Sequence, residues 1–173
     1  MKTQPNRPAR SPNPRMEQST SSVTSGPMSG LLHGTVVLTR TGEVVVQDIR
    51  PGDHVITRGA GLVQVQAVAR HRVLLRAISI AAGSLGDTRP DSDMVLPADQ
   101  QILIRDWRAQ ALFGCDQAMV PVSALVDGEF IRDQGLQVLE LYTLQMEHEQ
   151  VIYAGGLEVA GSTDPAIDLR PAA

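Results

Sequence analysis

Apolar and polar residues follow one another along this chain in short blocks, and turn formers close almost every block. Residues 35–39 (TVVLT) are β-branched and apolar, Thr41-Gly42 interrupts them, and residues 43–49 resume the pattern. The next break, Arg50-Pro51-Gly52-Asp53, has a mechanism: proline presets φ, glycine takes φ > 0, and the aspartate can hydrogen-bond nearby backbone. His54-Val55-Ile56-Thr57 begins a new strand. Gly59-Ala60-Gly61 turns the chain into residues 62–68, where Val63, Val65 and Ala67 alternate with Gln64, Gln66 and Val68. That is the period of a half-exposed strand, and the pair reads as a hairpin.

The rest of the chain repeats this grammar. Residues 73–80 are apolar, 86–93 (GDTRPDSD) form a loop by composition, and 94–97 and 101–105 flank Ala98-Asp99-Gln100. Residues 107–113 read as a short helix or irregular loop ending at Gly114. Residues 118–126 read as a short helix with Pro121 in its first turn. Asp127-Gly128 is a strong turn signal. Late strands are expected at 130–131, 138–144 and 150–154, and Gly155-Gly156 separates the last from 157–160. Many short strands with turn signals between them, and no long helix, predict an all-β domain.

Composition narrows this picture. Of the 173 residues 42% are hydrophobic but only 3% aromatic, so the core must be built from Val, Leu, Ile, Ala and Met. A formal net charge of -4 offers no electrostatic case for nucleic acid or an anionic membrane. No apolar run approaches the length of a membrane helix. Residues 1–28 place Pro5, Pro8, Pro12, Pro14 and Pro27 among polar side chains, and such a segment buries too little surface to offset its ordering entropy. The expected organisation is a disordered tail over 1–28, one β domain over 29–160 and a C-terminal tail over 161–173. Lys2, Arg7, Arg10 and Arg15 lead into no apolar stretch, so no signal peptide is expected and the cytoplasm is the default compartment. The single cysteine, Cys115, excludes an internal disulfide framework and a cysteine-only metal site.

Several segments, in this order, resemble the Hint domain, the fold shared by hedgehog C-terminal domains and inteins. The similarity is to a bacterial Hint-like group with the opening GTxIxTxxGxxxVexLxPGDxVxT. That opening stands here as Gly34-Thr35-Val36-Val37-Leu38-Thr39, Gly42-Glu43, Val46-Gln47-Asp48-Ile49 and Arg50-Pro51-Gly52-Asp53-His54-Val55-Ile56-Thr57. Leu96-Pro97-Ala98-Asp99-Gln100-Gln101-Ile102-Leu103-Ile104 stands where the group has an SPxHRILI segment. Val120-Pro121-Val122-Ser123-Ala124-Leu125-Val126-Asp127-Gly128 resembles its VPAxxLVNG stretch. His148-Glu149-Gln150-Val151-Ile152-Tyr153-Ala154-Gly155-Gly156 resembles its HxVIxAEG close. The resemblance implies a compact, horseshoe-like all-β fold and an ancestral self-processing chemistry. In active members a Cys or Ser attacks the peptide bond before it, and a histidine of the middle segment hydrogen-bonds that amide and assists the leaving amine.

At the positions that carry this chemistry the chain departs from the pattern. The nucleophile, four residues before the Gly-Thr pair, falls at Gly30, and the middle histidine falls at Gln100, an amide with no acid or base function near neutral pH. The terminal His-Asn pair of inteins is absent around Ala160-Gly161-Ser162. The resemblance thus implies a vestigial site of Gly30, His33, Thr35 and Gln100, expected to persist as a shallow polar cleft between Gly30, His33 and Gln100. Ser29, one residue from the nucleophile position, is the rescue candidate.

The remaining candidates have plainer readings. His33 is a strand-entry residue, His54 and His71 point to solvent, and His148 caps or hydrogen-bonds a turn. Cys115 is a buried small hydrophobe. Trp107, beside Arg105 and Arg108, packs over the sheet edge. Asp53, Asp99 and Asp127 form turns. No histidines or cysteines show metal-ligand spacing, and neither metal nor cofactor is expected. Three functional readings follow. The first is a Hint-like domain without autoprocessing that binds or scaffolds an unspecified protein partner. The second is a self-cleaving domain using Ser29. The third is an unrelated small β-barrel interaction domain.

Overall fold

The computed structural model describes residues 28–161, so the readings of 1–27 and 162–173 lie outside the described residues. In chain order the strands are β1 (Leu31–Leu32), β2 (Val36–Thr39), β3 (Gly42–Val45), β4 (His54–Thr57), β5 (Gly61–Gln64), β6 (Ala67–Ile80), β7 (Met94–Pro97), β8 (Gln101–Ile104), β9 (Ala118–Pro121), β10 (Ile131–Gln145), β11 (Val151–Ala154) and β12 (Leu157–Ala160). Among the described residues one α-helix, α1 (Trp107–Phe113), joins β8 to β9. All pairings are antiparallel. One sheet has the order β1-β10-β6-β7; the other runs β3-β2-β4-β11-β12-β8-β9, with β5 added beside β4.

The turn chemistry explains the first half. Arg50 N–H donates to the Asp53 carboxylate at 2.8 Å, and Gly52 takes φ of 99°. The same turn grips Val65: Gly52 N–H donates to the Val65 carbonyl and Val65 N–H to the Asp53 carbonyl, each at 2.8 Å. That grip breaks the strand expected over 62–68. The chain leaves the larger sheet after β5 and enters the smaller one at β6, with Gln66 N–H already donating to the Gln145 carbonyl. The strand expected over 43–49 is also divided. Val46 turns inward as a 3-10 helix (Val46–Asp48) because its side chain is wholly buried and its N–H donates to the Thr35 carbonyl.

Two further expectations are corrected. Residues 118–126 are not a helix: β9 pairs with β8 from Gln101↔Pro121 to Ile104↔Ala118, and only Val122–Leu125 coils, as a 3-10 turn. The strands expected at 73–80 and 138–144 are portions of a longer ribbon, β6 against β10, running from Ala67↔Gln145 to Ile80↔Ile131 with a bulge between Asp133 and Leu136. The helix at 107–113 is present. Asp106 caps it by accepting the Arg108 N–H, and Gly114 ends it with φ of 68°.

The core lies between the sheets. Ile78, Ile80, Leu96, Ile131 and Leu144 of the smaller sheet meet Val37, Val55, Ile102, Val120, Ile152 and Val159 of the larger one. No tryptophan or phenylalanine contributes, as the composition requires. A small second cluster, Ala77, Leu139 and Leu141, occupies the other face of the β6–β10 ribbon beneath Met28, Leu32 and Val95. Trp107 does not pack on the sheet edge: it is 69% exposed, and Arg108 stacks 5.0 Å from its ring. Cys115 is exposed rather than buried. Both residues belong to or follow a helix that buries only Ala109, so they have no apolar surface to enter.

Asp127 is the strongest of the expected turn formers. One carboxylate oxygen accepts the N–H groups of Glu129, Phe130 and Ile131 at 2.8–2.9 Å. Burial pushes this carboxyl up, but the Ile131, Glu129 and Phe130 N–H groups and Arg108 outweigh it and hold the group below its ordinary value. Asp127→Ala is expected to cost about 1–2 kcal/mol, the scale of a lost cap. Because the folded-state value is the lower one, this stabilisation is present above the ordinary aspartate range and is lost as acid protonates the folded form. Urea melts of wild type and variant from pH 7 down to pH 3 check this: the difference between them should shrink at the acid end.

Candidate functional site

The residues at the two decisive positions touch. β1 docks on β10 in the register Leu31↔Tyr142 and Leu32↔Leu141, which carries Gly30 into the interior. The turn between β7 and β8 carries Gln100 to the same point. Gln100 N–H donates to the Pro97 carbonyl at 3.0 Å, and the Gln100 carbonyl accepts the Val122 N–H at 2.9 Å. The side chain is 1% exposed. Its Oε1 accepts the Gly30 N–H at 2.9 Å, and its Nε2 donates at 3.0 Å to the carbonyls of Gln101 and Ala160. The amide orientation follows from this network, since the reverse would set two donors and three acceptors against their own kind.

The Gly30 N–H belongs to the peptide bond between Ser29 and Gly30. Gln100 therefore holds an amide proton there by a hydrogen bond and offers no proton of its own to a departing amine. Little space is left around them. The cavity lined by Gly30, Gln100, Thr143 and Ala160 is about 10 Å³, room for at most one water. A Cβ at position 30 would lie 3.2 Å from the Tyr142 carbonyl oxygen and 3.3 Å from Leu141 Cβ and Thr143 Cγ2, tighter than a relaxed side chain accepts.

The other expected members stand elsewhere. His33 is exposed, and its Nδ1 lies 3.5 Å from the Tyr142 hydroxyl and 3.6 Å from Glu140 Oε1. Together with Thr35 it lines a separate open cleft of about 650 Å³ reaching Glu43, Asp91 and Met94. The polar cleft expected between Gly30, His33 and Gln100 is thus not one space: the first and last are buried, and β1 carries His33 out past them. Around His33 is a network that the sequence reading missed. Arg70 Nη2 lies 2.9 Å from Glu140 Oε1, and the Tyr142 hydroxyl donates to the same oxygen at 2.9 Å. Arg70, then Tyr142, hold the Glu140 carboxyl below its ordinary value, while burial and the bond to Glu140 raise the Tyr142 phenol. The only hint in the chain was two polar groups, two residues apart, inside an apolar run.

The remaining histidines divide. His54 is half-buried at the start of β4. His71 is half-buried rather than solvent-facing, with Nε2 at 3.4 Å from Thr143 Oγ1, next to the Gly30 pocket. His148 is exposed and hydrogen-bonds no described residue, so the expected turn-capping role is not found. Among the described residues no group of three His, Cys, Asp or Glu side chains could hold a metal ion.

This fold, with the first strand delivering residue 30 to the middle-segment turn, agrees with the family profile of the Hint domain, which matches residues 29–163. The chain belongs to the Hint domain family. Solved structures agree at the level of fold. The bacterial intein-like domain from Clostridium thermocellum superposes with a TM-score of 0.54 at 15% identity, covering 79% of this chain and 99% of that one. A DnaB intein from Synechocystis sp. PCC 6803 superposes at 0.52 and 12% identity, covering 79% and 100%. The gp41-1 intein gives 0.50 and 15%, covering 76% and 98%. A comparison with curated proteins finds no match. Family membership overturns the reading of an unrelated β-barrel and places the all-β Hint fold on record for this chain. No helix among the described residues is long and apolar enough to cross a membrane.

Proposed function

We propose that this Hint domain does not cleave its own chain and serves as a binding or scaffolding module for a protein partner. The observation that carries this reading is the Gly30–Gln100 contact. The position that the family resemblance assigns to a nucleophile has no side chain, and the position it assigns to a histidine holds an amide locked by three hydrogen bonds. Acyl transfer needs a nucleophile and a proton carrier positioned together, and this pair supplies neither. In support of a binding role, the β6–β10 ribbon exposes Leu74 directly opposite Val138, with Leu136 beside them.

Purified chain incubated with hydroxylamine and thiol is expected to keep its full mass, because no ester or thioester forms for either reagent to open. Intact-mass spectrometry reads this directly. Loss of the segment before residue 29, abolished in Ser29→Ala, would instead establish the self-cleaving domain. Restoring the ancestral residues is a harder trial. Gly30→Cys with Gln100→His is expected to give at most weak cleavage, because the new Cβ meets Tyr142, Leu141 and Thr143 at 3.2–3.3 Å. Efficient release of the leading segment by the double variant would show that the ancestral geometry survives.

A further inference from the structure

At the far side of the larger sheet, one buried carboxylate is ringed by three arginines. The Glu158 side chain is 1% exposed. Arg58 Nη1 donates to its Oε1 at 2.5 Å, Arg105 Nη2 lies 2.8 Å from Oε2, and Arg89 Nη1 lies 3.5 Å from Oε2. The Arg105 approach is close but off the hydrogen-bond line, so Oε2 has no hydrogen-bond donor. These arginines come from three places in the chain: Arg58 follows β4, Arg89 sits in the loop before β7, and Arg105 follows β8.

The cluster is overcompensated. One carboxylate neutralises one guanidinium, and three share it. Arg58 has a second partner in Gln117 Oε1, at 2.9 Å. Among the described residues, Arg89 and Arg105 have no side-chain partner except Glu158, so most of their N–H donors are unused. Both line a cavity of about 350 Å³ with Glu158 at its floor and Leu85, Leu103 and Leu157 in its walls. Asp87 and Asp106 stand on the rim, and Asp106 is already paired with Arg108. The cavity lining itself holds two guanidiniums, Arg89 and Arg105, and three carboxylates; Arg58 behind Glu158 and Arg108 on Asp106 bring the wider cluster to four guanidiniums against three carboxylates. The loop that delivers Arg89 is strained: Asp87 and Thr88, neither of them glycine, take φ of 48° and 61° in succession.

We propose that this cavity is a binding site for a small oxyanion carrying a phosphate group, held by the outward edges of Arg89 and Arg105. Glu158 serves as the anchor that fixes both guanidiniums, as a carboxylate behind an arginine commonly does. A tetrahedral dianion offers oxygens to two planar forks at once and relieves the repulsion between guanidiniums that share a single counter-charge. The rim carboxylates limit the ligand to one such group. A polyanion such as a nucleic-acid backbone would bring further phosphates against Asp87 and Asp106. The site shares no lining residue with the Gly30–Gln100 pocket and does not depend on the proposed loss of autoprocessing.

The test is a titration of the full chain at pH 7.5 and constant ionic strength in chloride, followed by calorimetry and by amide chemical shifts. One series uses inorganic phosphate and a second uses O-phosphoserine. Saturable one-site binding is expected, with shifts confined to residues 86–89, 103–106 and 157–158. Affinity should fall at least tenfold in Arg89→Gln and in Arg105→Gln and stay unchanged in Arg76→Gln, whose arginine pairs with Asp133 on the ribbon. Tighter binding of O-phosphoserine assigns an esterified phosphate as the source; tighter binding of inorganic phosphate assigns the free ion. No saturable binding of either compound up to 10 mM, shifts scattered over arginines elsewhere, or equal affinity in the Arg89 and Arg105 variants overturns the proposal. The wild-type titration stands even where a variant fails to fold, and the amide spectrum reports that failure.

Discussion

Gln100→Leu is expected to lower the unfolding free energy by about 3 kcal/mol, although leucine is apolar and similar in size. Burying an unsatisfied polar group costs about 1–3 kcal/mol. This substitution strands the Gly30 N–H and removes the donor from the carbonyls of Gln101 and Ala160. Carbonyls have other lone pairs and relax more readily than an N–H, so the total stays near the low end of the sum. Gln100→His should cost about 1 kcal/mol, because an imidazole can accept from Gly30 and still donate through its other nitrogen. Gln100→Glu separates the donor from the acceptor role. Its carboxylate would face two carbonyl oxygens in a buried site, which raises its folded-state pKa above the ordinary glutamate value of about 4.3. That variant is therefore expected to lose stability as the pH rises above that value and to recover it in acid, the opposite of Asp127. Denaturant melts of the three variants at pH 4.5 and pH 7.5 read all of this. Equal stability of the leucine and histidine variants would mean that the hydrogen bonds contribute little and that only the volume at position 100 matters.

Glu158→Ala is expected to be comparably damaging. Removing one partner of a buried ion pair costs about 3–5 kcal/mol because the other charge is left uncompensated. The three arginines are each about a third exposed, so water screens part of their repulsion, and about 3 kcal/mol is the better expectation. For a domain of this size that corresponds to a fall in Tm of roughly 6–12 °C. Arg58→Gln should cost less, since two guanidiniums remain to pair with the carboxylate. If the alanine variant melted within about 1 °C of wild type, the cluster would be an exposed ion network of little energetic weight.

These two networks also show how far the chain could be read by itself. The strand boundaries around Arg50–Asp53, Gly59–Gly61, Asp127-Gly128 and Gly155-Gly156 were legible because a turn is made by two to four adjacent residues whose φ preferences act locally. Residues 118–126 suggest a helix because Ala118, Val122, Leu125 and Val126 recur at helical spacing, and the partner that decides, β8, lies on the far side of α1. The ribbon was read short for a similar reason. Arg70, Arg72, Gln134 and Gln137 look like loop chemistry, yet they occupy the exposed positions of the ribbon, where polar side chains are tolerated inside a strand. Residue-type preference puts Trp107 over the sheet edge and Cys115 in the core, but it cannot tell that α1 lies with one small residue buried.

The sequence by itself determined the all-β class, the aliphatic core, most of the turns and, through its resemblance to the Hint domain, which two positions to compare with the family's pattern. Each of these follows from short-range backbone preference, composition or a string of residues in order. Only the tertiary structure decided that Gly30 and Gln100, 70 positions apart, share one buried hydrogen bond while His33 is carried away from it. It alone brought Arg58, Arg89 and Arg105 onto Glu158. Contacts of this kind depend on strand register across two sheets, and no local pattern of residues encodes which distant edge a strand will meet.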